Sequence, residues 1–264
     1  MTNTINGDTR LFPIIGDPIR YARSPELLTA SFAARGHDAV CIPALVPEAA
    51  LADVMRALSL MQNVDGILVT MPHKFSVVAH CATTSDRTRL LGAVSVIRRN
   101  ADGTWHGDML DGQAFLKALR DAGAEPANAR VLLVGAGGAG SAIALALMEA
   151  GVRELIIHDA DEARARDLVR LLAPLGSGGA RTGPPVPTGC DMVCNATSAG
   201  MASGDALPVA ASLLQPAMFV GDVVAGHGTT PFLEAALSTG CRVAGGDQMV
   251  DAVQGMMVEF MLNH

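Results

Sequence analysis

Lys74 closes the stretch VTMPHK. It follows the apolar run Ile67 to Val69, which reads as a short buried strand, and Pro72 fixes the chain just past that strand. A lysine placed there is either a solvated loop cation, as most lysines are, or a group that handles a proton. A second chemistry-bearing stretch is GAGGAG, where Gly135, Gly137 and Gly140 have the GxGxxG spacing. It lies between RVLLV (Arg130 to Val134), a strand pattern, and SAIALALMEAG, a small-residue helix pattern ending at Gly151. The first glycine makes the strand-to-helix turn, the second lets the backbone approach a pyrophosphate, and the third lets helix and strand pack closely. The helix start offers its free N–H groups and positive dipole end to the phosphates.

A lone glycine signature is weak, but this one has the context it needs. A second strand follows at Glu154 to His158, and at its end stands Asp159, 24 residues beyond Gly135. An acid there accepts hydrogen bonds from the ribose hydroxyls and repels a 2′-phosphate, which points to NAD rather than NADP. The competing reading is a helix cap: Asp159 precedes DEARARDLVRLL, although Asp161 could cap that helix equally well. Strand patterns recur at Asp191 to Asn195 and Met218 to Val224. Three or four strand-plus-helix units from about 112 to 238 therefore make a dinucleotide-binding domain, with Gly176 to Gly189 as a surface connection and Arg164, Arg166 and Arg170 on a solvated helix face.

The first half alternates too. LFPIIG reads as a strand, SPELLTASFAARG as a helix with Ser24 as N-cap and Pro25 in its first position, and AVCIPALV as a strand. EAALADVMRALSLM is an amphipathic helix, GILVT a strand, and GAVSVIRRNADGTWHG a ribbon that turns at Asn100 to Gly103. This half is an α/β unit without a phosphate-binding turn, which fits the substrate half of an enzyme that reacts in a cleft between two halves.

Bulk composition agrees. The 264 residues are 50% hydrophobic, 17% charged and only 3% aromatic, with Trp105 and Tyr21 the sole Trp and Tyr. An aliphatic core of this kind suits parallel strands covered by helices. A net charge of −7 without a basic tract excludes nucleic acid and anionic membranes as partners. The uncharged run Val131 to Met148 has spanning length, but its glycines and small residues describe a tight turn and a packed helix. Cys41, Cys81, Cys190, Cys194 and Cys241 lack CxxC spacing and read as buried thiols of a reducing cytoplasm. The polar start MTNTINGDTR lacks the charged-then-apolar order expected of a signal peptide. His106 and His227 have no neighbours at ligand spacing, so no metal is expected; His73 either lines the site or is a half-exposed loop residue.

In order along the chain, SPELL after GDPI, VTMPHK, LGAVSVI, GDMLDG, the glycine turn, NATSAGM and GGDQMV…Q resemble the shikimate/quinate dehydrogenase family over roughly residues 11 to 260. The resemblance implies an α/β fold of two domains. One is an N-terminal substrate domain (1–111 with 239–264). The other is a Rossmann-type, doubly wound dinucleotide domain (112–238), and the closing helix from Asp247 to Leu262 packs back on the first. It implies a catalytic pair, Lys74 and Asp111, and substrate contacts from Ser24, Thr70, Ser95 and Gln254. For the coenzyme it implies contacts from Gly135, Ala136, Gly137, Gly138, Ala139, Gly140, Asp159, Asn195, Thr197, Val223 and Gly246. The partner is a small molecule, and a homodimer is common among relatives.

The sequence departs from that family where substrate is held. Ala22 replaces a serine, Leu68 and Ser95 replace asparagines, Met109-Leu110 replaces Asn-Thr, and Ala225 replaces a tyrosine. Each lost polar partner is worth roughly 1–3 kcal/mol, so a related cyclic hydroxy acid is as natural a substrate as shikimate or quinate. His158-Asp159-Ala160 stands where biosynthetic members carry Asn-Arg-Thr, and this again favours NAD. Two other readings fit the same residues: a non-catalytic binding or regulatory protein on the same fold, and a dehydrogenase of an unrelated small molecule.

Overall fold

The computed structural model describes residues 5–20, 22–175, 179–201, 204–226 and 228–262. Tyr21 and His227 lie outside them. The chain divides into two compact units: the first runs to Leu110 and resumes at Val253, and the second is Asp111–Ala252.

The first unit is built from β1 (Arg10–Gly16), α1 (Ser24–Ala34), β2 (Ala39–Leu45), α2 (Leu51–Leu60), β3 (Gly66–Val69), β4 (Thr83–Thr84), α3 (Asp86–Leu91), β5 (Val96–Arg99) and β6 (Trp105–Asp108). Its six-stranded sheet has the order β2-β1-β3-β5-β6-β4. β1 pairs parallel to β2 and β3, whereas β5 runs antiparallel to both β3 and β6. The ribbon β5–β6 turns at Asn100 to Gly103 as expected, with Gly103 N–H donating to the Asn100 carbonyl at 2.9 Å. Strand patterning puts aliphatic residues on both faces. On one side Ile15, Ile67 and Ile97 pack with Leu51 and Met55 of α2; on the other Phe12, Leu68 and Val96 pack with Leu28 and Phe32 of α1.

The second unit contains α4 (Asp111–Asp121), β7 (Arg130–Val134), α5 (Gly138–Glu149), β8 (Glu154–His158), α6 (Glu162–Leu172), β9 (Gly179–Thr182), β10 (Met192–Asn195), β11 (Phe219–Asp222), α7 (Pro231–Thr239), β12 (Arg242–Ala244) and the start of α8 (Gly246–Leu262). All its strands are parallel, in the order β12-β11-β10-β7-β8-β9. Numbered within the unit this is 6-5-4-1-2-3, the doubly wound arrangement, and the winding reverses between β7 and β10. The helix α5, uncharged up to Glu149, is buried from Gly140 to Met148. It accepts α4 closely because position 112 is glycine: a Cβ there would lie 2.1 Å from the Ala142 carbonyl oxygen. No described helix is long and apolar enough to cross a membrane.

Four expectations need correction. The cap position of α1 is Arg23, without a side-chain cap; Ser24 is already helical. Residues 239–252 group with the second unit, because Phe219↔Arg242 pairing adds β12 to its sheet, so the return to the first unit begins at Val253. The 176–189 connection contains β9, which extends the sheet beyond β8; residues 176–178 lie outside the described ones. His73 is fully buried. The expected return of the closing helix is present: Met257, Val258 and Met261 of α8 complete the apolar cluster around Phe12 and Phe32.

Candidate active site

In the first unit Thr70, Lys74 and Ser95 gather at the carboxyl end of β3. Thr70 N–H donates to the Ile15 carbonyl at 3.0 Å, and the Met71 carbonyl accepts from Asp17 N–H at 2.9 Å. The segment approaches β1 so closely that a Cβ on Gly16 would sit 2.3 Å from the Thr70 methyl. His73 Nε2 donates to the Val46 carbonyl at 2.7 Å, so Nε2 carries the proton. The Lys74 carbonyl accepts from Val94 N–H at 2.8 Å. The backbone on both sides of Lys74 is thus fixed, while its side chain is half-buried.

Ser95 stands next to this loop, since its carbonyl accepts from Val69 N–H at 2.9 Å. Its hydroxyl is buried and accepts from Leu110 N–H at 2.9 Å. The structure gives Ser95 a backbone-holding duty, for which its hydroxyl serves as acceptor. Asp108 supports the same segment: its Oδ1 accepts from Met109 N–H at 2.7 Å and from the Ser85 hydroxyl, and it pairs with Arg87 at 3.2 Å. Asp111 follows as the first, buried residue of α4. Ser24 is half-buried at the start of α1, and Gln254 Nε2 donates to the Leu27 carbonyl, so part of its amide is committed to α1.

In the second unit the glycine turn lies at the end of β7, beside the point where the winding reverses. Gly135 has φ +106°, and a Cβ on it would lie 2.7 Å from the Thr197 methyl. A Cβ on Gly140 would meet the Gly135 carbonyl oxygen at 2.1 Å. At Gly137, by contrast, an added Cβ would find nothing within 4 Å. The turn therefore packs tightly at its ends and is open in its middle, at the N-terminus of a twelve-residue helix that no side chain caps. That arrangement fits a dinucleotide pyrophosphate, with Gly137, Gly138 and Ala139 presenting backbone. Asp159 is half-buried beside it: Oδ2 accepts from Ala136 N–H at 2.7 Å and Oδ1 from Asp161 N–H at 2.8 Å. The cap of α6 is Asp161, which accepts from Ala163 N–H. Asp159 is thus tied to the glycine turn and is not the helix cap.

Asn195 is completely buried and acts through the loop that it shapes. Its Oδ1 accepts from the Thr197 N–H and hydroxyl, and its Nδ2 donates to Asp222 at 2.9 Å. Sequence reasoning passed over Asp222, although a charged residue ending a buried run such as MFVGD is itself a signal. Burial pushes its carboxyl above the usual range, and hydrogen bonds from Thr230, Val224 and Asn195 pull the other way. Val223 N–H donates to the Asn195 carbonyl at 3.1 Å, and Gly246 lies against the same loop: a Cβ there would be 2.3 Å from the Val224 carbonyl oxygen. The thiols of Cys41 and Cys194 are pushed by burial to about 12, which leaves them inert as nucleophiles.

Comparison with known proteins gives the following. The family model described as Shikimate dehydrogenase substrate binding domain matches residues 14–97, and that of the ThiF family matches residues 111–176. The chain is 38% identical to Shikimate dehydrogenase (NADP(+)) of Rubrobacter xylanophilus, over 93% of this chain and 88% of the relative. Among solved structures it resembles 5-ketofructose reductase of a Gluconobacter species (29% identity, TM-score 0.85, 98% and 95% of the two chains). It also resembles shikimate 5-dehydrogenase from Listeria monocytogenes in complex with shikimate and NAD (28% identity, TM-score 0.88, 100% and 95%).

Proposed function

The chain belongs to the shikimate dehydrogenase family, and on that premise we propose that it is an oxidoreductase acting on a CH–OH group with a nicotinamide coenzyme. Its substrate is shikimate, quinate or a related cyclic hydroxy acid, and its preferred coenzyme is NAD. The observation that carries the reading is the open middle of the glycine turn at the reversal of the parallel sheet. When bound, the coenzyme accepts or supplies the hydride. Lys74 hydrogen-bonds the reacting oxygen, takes its proton in oxidation and returns it in reduction, with Asp111 as its carboxylate partner. Thr70, Ser24 and Gln254 hold the substrate's remaining polar groups.

The preference for NAD rests on Asp159. Its carboxylate, held against Ala136 N–H, places negative charge where a 2′-phosphate would need a cation. The Rubrobacter relative is named for NADP(+), so this chain is read as having shifted coenzyme within its family. Leu68 and Leu110, in place of polar family residues, sit in the apolar cluster with Phe12. A less polar substrate, including an uncharged ketose like that of the Gluconobacter enzyme's name, is therefore the second reading.

Steady-state turnover with NAD and NADP on shikimate, quinate and 5-ketofructose tests these readings together. Activity on a cyclic hydroxy acid with NAD, reduced on the order of 10²–10⁴ in Lys74→Ala, is the expected result. Full activity in that variant removes Lys74 from the chemistry. Coenzyme binding without turnover on any of the three would favour a binding protein.

A further inference from the structure

Asp222, Asn195 and Thr230 are each fully buried, and together they join three separate elements of the second unit. Asp222 Oδ1 accepts from Asn195 Nδ2 at 2.9 Å and from Val224 N–H at 3.1 Å, and Oδ2 accepts from the Thr230 hydroxyl at 2.6 Å. Thr230 in turn caps α7, accepting from Leu233 N–H at 3.3 Å. Asn195 spends its other bonds on the loop after β10, where Thr197 N–H and its hydroxyl reach Oδ1 and the Ala199 carbonyl receives Nδ2 at 3.2 Å. That loop is the wall of the glycine turn, because the Ala196 carbonyl and the Thr197 methyl are what a Cβ on Gly135 would strike. The loop after β11 is the floor against which Gly246 packs.

We propose that Asp222 is a positioning residue for the dinucleotide: its carboxylate fastens the loops after β10 and β11 into one shelf beside the glycine turn, without touching the coenzyme. This rests on the coenzyme reading above. The physical reason is the donor count. Asn195 Nδ2, Val224 N–H and the Thr230 hydroxyl all donate, and a carboxylate receives all three with no proton of its own to place. Retaining a buried carboxylate is costly, and a purely architectural link between two loops could be made more cheaply by apolar contact. The carboxylate fixes both loops in one arrangement.

The experiment is titration of the full chain with NADH, followed by coenzyme fluorescence well below the melting temperature and without substrate. Asp222→Asn keeps size and shape but puts an amide NH2 where the carboxylate accepts from the Thr230 hydroxyl. It is expected to weaken NADH binding about tenfold and to raise the KM for coenzyme, leaving the KM for substrate unchanged. Thr230→Val is expected to do the same to a smaller extent, and Thr230→Ser to restore wild-type affinity. These two variants serve as the test should Asp222→Asn not fold. A purely architectural role would lower the melting temperature and leave the affinity of the folded protein intact, and that result overturns the proposal. If the wild-type protein binds neither NADH nor NADPH, the coenzyme reading falls first and this inference with it; wild-type binding with unaltered variants overturns this inference alone.

Discussion

The Ser95 hydroxyl accepts the Leu110 amide proton at 2.9 Å, immediately before Asp111 in the chain. The antiparallel pairing of β5 with β6 ends at Val96↔Asp108, and Ser95 N–H still donates to the Asp108 carbonyl at 2.9 Å. The serine side chain then continues the ladder by one further bond. It thereby fixes the backbone immediately before Asp111.

A positioning serine and a substrate-gripping serine differ in kinetics. Ser95→Ala leaves the Leu110 amide without this acceptor in a buried place, a loss of roughly 1–3 kcal/mol. Asp111 would lose register, and kcat is expected to fall about tenfold with the KM for substrate nearly unchanged. A raised KM with unaltered kcat would return Ser95 to the substrate site.

Much of this was legible in the residues. RVLLV, ELIIH and the glycine turn between them announce β7, β8 and the coenzyme loop, because buried parallel strands read as unbroken aliphatic runs. Lys74 was legible as a cation at a strand end. Partner choice was not. Nothing local says that Ser95 bonds Leu110, or that His73 reaches Val46 across 27 positions. Both depend on which strands become neighbours, and β3 pairs with β1 and β5 at long range. Asp159 shows the intermediate case: its two readings were both visible, and only the 2.7 Å bond to Ala136 N–H separates them.

Asp159 gives a prediction on coenzyme choice. On the coenzyme reading, Asp159→Ser removes a negative charge that would disfavour a 2′-phosphate and an acceptor for the ribose hydroxyls. NADH affinity is expected to fall about tenfold and NADPH affinity to rise, so that the ratio of the two moves by tenfold or more. Fluorescence titration with both reduced coenzymes checks it. A ratio that does not move would mean that Asp159 serves only to brace the glycine turn.

His106 makes the first unit sensitive to acid. It hydrogen-bonds the Thr83 hydroxyl at 2.8 Å and stacks at 5.7 Å on Phe260 of α8, over which Arg98 also lies at 5.5 Å. Burial, then the Arg98 cation, hold its proton affinity below the ordinary value, and Asp108 only partly offsets them. An unfolded histidine titrates near ~6.5. The unfolded chain therefore binds this proton before the folded one does, and stability is lost as pH falls below that value. Trp105, the sole tryptophan, reports unfolding of this unit. The urea midpoint should drop more between pH 7.5 and 5.5 in the wild type than in His106→Asn; parallel drops would remove His106 as the cause.

The glycine turn separates folding from binding within six residues. Gly140→Ala places a methyl 2.1 Å from the Gly135 carbonyl oxygen and 2.7 Å from its carbon, backbone atoms with nothing flexible to yield. It is expected to lower the melting temperature by several degrees or to prevent accumulation of folded protein, since α5 must move off β7. Gly137→Ala meets nothing within 4 Å in the protein alone, and Gly137 has φ −76°, which alanine also adopts. The variant should therefore melt within about a degree of the wild type. Its methyl would project into the space through which a pyrophosphate approaches the helix start, and binding of NADH should weaken by tenfold or more. Calorimetric melting and coenzyme titration on the two variants check both halves. If Gly137→Ala binds NADH as the wild type does, the open middle of the turn is not where phosphate sits, and the coenzyme must be placed elsewhere on the second unit.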